Sequence, residues 1–173
     1  AATVAKLKLL MNQAEVTTDI FPAVSAALLK ADATGAPAGA MQLPDGTVVT
    51  GKTSSTLGAA SALLLNALKH LAGIDDSIDL ISAQVLEPIC QLKTGYLSHK
   101  NPRLHTDEVL IALTISALTN PAAQKAKEQL SKLQGCGAHF TVVLSQEDES
   151  LLKSLGIHVS CEAKYESNRL YHK

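Results

Sequence analysis

The chain has 173 residues, enough for one domain of ordinary size or a compact domain with a helical extension. It is 46% hydrophobic but only 3% aromatic, with a net charge of −1 and no basic stripe interleaved with aromatics, which argues against nucleic-acid binding. No apolar run reaches the ~18 residues that a membrane span needs, and three widely spaced cysteines (Cys90, Cys136, Cys161) suit a reducing cytosol better than a disulfide framework.

In chain order, residues 2–14 and 18–32 carry helical spacing, the second with Thr18 or Asp19 as its cap and Pro22 in its first turn. A breaker-rich linker over residues 33–39 follows. Ala40–Leu43 and Thr47–Thr50 are expected to pair as a hairpin, because Asp45-Gly46 between two short apolar runs is a turn signal. The start at Ala-Ala, with no methionine and no signal peptide, is read as that of a fragment or a processed piece.

The hairpin overlaps a motif. From Gly46 the letters G-T-V-V-T-G-K-T satisfy the phosphate-loop pattern G-x-x-x-x-G-K-[ST]. Such a loop must curl its backbone N–H groups around a phosphate, yet Thr47, Val48, Val49 and Thr50 are all β-branched and favour an extended strand. Residues 41–45 do not look like the buried strand that should precede it. The expectation is a strand.

Leu57 to Leu71 is apolar on nearly every face and predicts a buried helix, starting at the Thr53-Ser54-Ser55 hydroxyl cluster and ending at Gly73. Ile78–Ile81 is a strand candidate, and Ser82 caps a helix interrupted at Pro88. Residues 94–105 form a polar loop. Thr106 or Asp107 caps a helix to about Leu118, and Asn120-Pro121 opens another to about Leu133, closed by Gly135. Residues 138–144 read as a strand, Ser145-x-x-Asp148 as a capping box for a helix that Gly156 ends, and Ile157–Cys161 as a last strand. The pattern predicts an α/β class protein. A three-layer α/β/α sandwich over 39–173 would be preceded by a helical segment and linker over 1–38.

The stretches LPDGTVVTGKTSSTLGAASALLLNALK, NPRLHTDEVLIALTISA and GCGAHFTVVLS…LKSLGIHVSCEAKYESNRLYHK resemble the C-terminal portion of the DUF1846 (UPF0371) family, over nearly the whole chain. That resemblance implies family members roughly three times longer than this domain-sized piece, with a Gly-rich, phosphate-loop-like segment in the N-terminal part. It implies no characterised biochemistry. An ATP-dependent peptidase activity gains no support here, for the sequence has neither H-E-x-x-H nor a believable phosphate loop. A more distant likeness is to the cytidine-deaminase-like fold, whose enzymes place zinc ligands at two helix starts as H/C-x-E and P-C-x-x-C. Those positions here read Gly58-Ala59-Ala60-Ser61 and Pro88-Ile89-Cys90, so zinc deamination is not expected.

Two segments are candidate anion sites. Lys52, Thr53, Ser54 and Ser55 stand where a helix begins, either to hold an anion or to cap the helix. Asn101, Arg103 and His105 form a polar loop before another helix start, either as a phosphate or carboxylate site or as a pin, with Arg103 paired to Glu108. His139 either faces the same crevice as His105 or is an inert strand-end residue. Cys136-x-x-His139 is half a zinc site without a second half, so no metal and no cofactor are expected. The functional expectation is an auxiliary, oligomerising C-terminal domain of a cytoplasmic protein, contributing to a site at a domain junction. Its expected partners are the N-terminal portion of its own chain, other copies of itself and a small anionic ligand. The alternative is a domain that itself binds a phosphorylated metabolite or nucleotide.

Overall fold

The structure is a computed structural model that describes residues 21–163. The expected helix over 2–14, and the Thr18 and Asp19 caps, lie outside the described residues. The described chain runs α1 (Phe21–Thr34), β1 (Ala38–Gln42), β2 (Val48–Lys52), α2 (Ala59–Ala72), α3 (Ala83–Gly95), α4 (Thr106–Ser116), α5 (Pro121–Lys127), a 3-10 turn (Leu130–Leu133), β3 (Gly137–Phe140), α6 (Gln146–Ser154) and β4 (His158–Cys161).

The four strands form one mixed sheet in the order β2-β1-β3-β4. β1 is antiparallel to both β2 and β3, and β3 is parallel to β4. Hence β2, β3 and β4 point the same way, and their carboxyl ends share one edge of the molecule. The hairpin is present as expected. Asp45 Oδ1 accepts from Thr47 N at 2.9 Å, and Gly46 takes a φ of 87°, which a side chain would strain.

Alternation along β1 divides the core between two faces. Ala40 packs with Ala23 and Ala27 of α1 on one side, whereas Met41 joins the main core of leucines from α2, α4 and α6 on the other. Helices therefore cover both faces of the sheet. Glycine lets α2 come close: a Cβ on Gly51 would lie 2.3 Å from Leu63 N, so the helix rests directly on the backbone of β2. That contact explains the second glycine of the phosphate-loop pattern without any nucleotide.

Three expectations need correction. Ile78–Ile81 is not a strand, because Leu80 and Ile81 are buried by packing into the main core and not by pairing in the sheet. α3 runs unbroken through Pro88, which forfeits only the bond that its missing N–H would have made to the Gln84 carbonyl. The Thr53-Ser54-Ser55 cluster does not start α2. Ser54 Oγ accepts from Leu57 N at 3.1 Å in a local turn, and the helix begins four residues further on at Ala59.

Candidate functional site

The two polar segments singled out in the sequence lie against each other. Leu57 and Leu104 pair as a short parallel bridge. Leu104 N donates to Thr56 O at 2.9 Å, Gly58 N to Leu104 O at 3.4 Å, and Ser61 Oγ to Leu104 O at 2.9 Å. Arg103 Nε donates to Ser54 O at 2.5 Å, and Asn101 Oδ1 accepts from Arg103 N at 3.0 Å in a tight turn. Arg103 thus ties one loop to the other.

Beneath this seam is a cleft of about 70 Å³ lined by Thr53, Gly58, Ala59, Ala60, Asn101, Arg103, Leu104, His105, residues 142–145 and Asp148. It sits just past the carboxyl ends of β2 and β3, where open α/β sheets place ligands. Three helices start at it: α2 at Gly58, α4 at His105 and α6 at Ser145.

Two of those starts are closed. Ser145 Oγ accepts from Asp148 N at 3.2 Å, and Glu108 Oε1 accepts from His105 N at 2.8 Å. The α2 start is open: Gly58 offers no capping side chain, and the Ala59 and Ala60 amides have no acceptor among the described residues. Nothing structural demands glycine there. Its φ is −70°, and a Cβ would meet only Leu104 O, at 3.8 Å. Beside it, Thr53 is 6% exposed, and its hydroxyl has no hydrogen-bond partner among the described residues.

Asp148 was expected to complete a capping box with Ser145, but its carboxylate reaches across to α4. Oδ1 accepts from Thr106 N at 2.8 Å and from Thr106 Oγ1 at 2.7 Å, while Oδ2 lies 3.6 Å from His105 Nδ1. Asp148 raises the pKa of His105 above its ordinary value, against the opposing effect of burial. Burial works to raise Asp148 in turn, but the His105 imidazole and the two Thr106 donors outweigh it and leave the carboxyl below its ordinary value. His105 Nε2 is without a partner among the described residues.

A residue missed in the sequence holds the rim together. Lys93 is 1% exposed, and its ammonium donates to Arg103 O at 2.5 Å and to Glu108 Oε1 at 2.7 Å. Glu108 is therefore paired with Lys93, not with Arg103 as one alternative had it. The only signal for Lys93 was its place on a helix preceding the polar loop.

Other candidates fall elsewhere. Lys52 is exposed and lines a wider groove of about 570 Å³ along the outer edge of β2, with Ser54, Asn66 and His70. That groove is larger but lacks the open helix start, and Asn66 Nδ2 already covers the outward Thr50 carbonyl at 2.8 Å. His139 does not face the crevice of His105. It pairs with Ala40 in the sheet and so lies on the α1 face, with Nδ1 2.7 Å from Ser160 Oγ and Nε2 3.2 Å from Glu162 Oε1. Burial pushes its pKa down against the opposing Glu162. Cys136 belongs to the main core on the other face, since residues three apart along a strand point oppositely. Among the described residues no three His, Cys, Asp or Glu side chains are gathered to hold a metal.

The family model described as "Domain of unknown function DUF1846, C-terminal" matches residues 19–171. A UPF0371 protein of Corynebacterium efficiens is 49% identical over 168 residues, covering 97% of this chain and 34% of its own length. One from Corynebacterium diphtheriae is 53% identical over 140 residues, covering 81% and 28%. One from Streptococcus pyogenes is 44% identical over 172 residues, covering 99% and 35%. The chain spans about a third of the length of the curated relatives it matches.

Proposed function

The chain belongs to the DUF1846 (UPF0371) family as its C-terminal part, and on that footing we propose that it supplies the anion-holding wall of a ligand site completed by the rest of the protein. The observation that carries this reading is the uncapped start of α2 at Gly58, open to the cleft beside the unpartnered Thr53 hydroxyl. Backbone N–H groups at the positive end of a 14-residue helix are suited to a phosphate or carboxylate. Cleft size defines the division of labour. Sites that enclose whole small molecules run to ~300–1,000 Å³, whereas about 70 Å³ admits one phosphoryl- or carboxylate-sized group. The remainder of the ligand extends past Asn101 and Val143 into space that this domain does not enclose.

His105, backed by Asp148, is a second ligand for the anion, strongest when protonated. Arg103 supports the cleft by tying its loops, and Lys52 has no part in it. We place the protein in the cytoplasm, a reading supported by three free thiols. No helix among the described residues is long and apolar enough to cross a membrane.

The test is an amide-resolved NMR titration with inorganic phosphate at constant ionic strength. Saturable shifts at Ala59, Ala60 and Thr53, weakened at least fivefold in Thr53→Val, support the reading. Shifts that are linear, or that centre on the Lys52 groove, refute it.

A further inference from the structure

α4 is apolar on its outer face as well as its inner one. Val109, Ala112 and Leu113 are buried, yet Ile111 and Ile115, and Leu118 two residues past the helix end, stand 61%, 58% and 83% exposed. Large apolar side chains grouped on an exposed face mark a contact surface. α3 repeats the pattern. It buries only Leu86 and Lys93, while Leu92, Tyr96 and Leu97, at and just past its C-terminal end, are exposed. The Lys93–Glu108 pair ties the two helices together, with Leu92 next to Lys93 in sequence and Ile111 one turn beyond Glu108. The loop that carries Asn101, Arg103 and His105 connects them.

We propose that this apolar rim is the seat of the N-terminal part of the protein's own full-length chain. The proposal rests on reading the cleft as half of a shared site, and it names the surface across which the halves meet. Two observations favour that occupant over a second copy. About two thirds of each relative's length lies outside the region matched here, so a large body of chain is at hand in the family. The exposed large apolar side chains are also few. A free-standing dimer needs ~800 Å² per partner, whereas a tethered partner docks on less because the link raises its effective concentration. Charge-free centres are what such contacts present, and Ile111, Thr114, Ile115 and Leu118 form one.

The experiment uses the full-length protein with a benzophenone side chain placed at Ile115 or Leu118. A control probe goes at Leu29 of α1, which packs on the far face of the sheet. Equal amounts of ¹⁴N- and ¹⁵N-labelled chains are mixed before irradiation. The expected result is cross-links within single chains to peptides on the N-terminal side of residue 1, at least fivefold above the Leu29 control and lost in Ile111→Asp. Cross-links between unlike isotopes would make the rim a contact between copies, and yields equal to the control would leave it without the proposed partner. Either outcome overturns the proposal. Phosphate titration of the same protein separates the two readings: cross-links without phosphate binding sink the cleft and spare the surface, and binding without cross-links does the reverse.

Discussion

Replacing Gly51 with alanine puts a methyl group where α2 already stands. The new Cβ would lie 2.3 Å from Leu63 N, 2.6 Å from Leu63 Cα and 2.9 Å from Ala62 C. These are backbone atoms and cannot rotate away, so α2 must lift or β2 must bend. Over-packing costs about 1–3 kcal/mol, occasionally more. Because α2 presses Leu63, Leu64 and Leu68 into the main core, the upper end applies, about 3 kcal/mol. At ~2–4 °C per kcal/mol for a domain of this size, the Tm should fall by roughly 6–12 °C. Urea and thermal unfolding followed by circular dichroism measure both quantities, with Lys52→Ala as a variant that should leave them within ~0.5 kcal/mol of the parent. If Gly51 served a phosphate loop instead, Gly51→Ala would fold normally and lose a saturable, Mg-dependent stabilisation by ATP. That pair of results would refute the packing account.

Lys93→Met should lower stability by about 3 kcal/mol, since it removes the ammonium from the Arg103 carbonyl and leaves Glu108 without its counter-charge, held only by His105 N; a urea-unfolding loss below ~0.5 kcal/mol would contradict the role given to Lys93. For His105 and Asp148 the sign of the pH dependence is set by their opposite shifts. The raised His105 contributes stability in full below its ordinary 6.5 and loses it as pH rises through its folded value, and the lowered Asp148 contributes above its ordinary 3.8 and loses it as pH falls through its own. Asp148→Asn should therefore be weakest relative to the parent between pH 3.8 and 6.5 and regain only the His105 part at alkaline pH, because the Thr106 bonds to the carboxylate persist there, with the His105 pKa falling by NMR; an unmoved His105 pKa would break the pairing. Phosphate affinity should rise as pH drops through the His105 titration, and a flat isothermal-titration profile from pH 5.5 to 8 would remove His105 from the site.

Local chemistry made much of this fold readable. The β-branched run at Thr47–Thr50 and the Asp45-Gly46 turn forced a hairpin against the pull of a motif. Asn120-Pro121 opened a helix as its side chain allows, accepting from Ala122 N at 3.0 Å. Ile78–Ile81 misled because a short apolar run reads alike whether it pairs in a sheet or packs against helices. Of the cleft, the Asn101–His105 loop and Thr53 were visible as polar residues near helix starts. Their meeting was not, for it depends on a bridge between Leu57 and Leu104, 47 positions apart, which neither leucine advertises. Asp148 was assigned to its own helix cap, and only the fold brings it to Thr106. Gly58 was noted only as a position without a zinc ligand, because its meaning here lies in the capping side chain that it lacks.

That missing cap is where the account can be tested most directly. Gly58→Asp gives α2 the carboxylate that its first turn can accept, in a conformation and a space that permit a side chain. Capping and the helix dipole together should raise stability by about 0.5–1 kcal/mol. The same carboxylate would occupy the place of the anion and repel it. Gly58→Asp should unfold at higher urea concentration than the parent while phosphate binding, measured by the amide shifts of Ala59 and Ala60, is lost. A variant that still binds phosphate with the parent's affinity would contradict it.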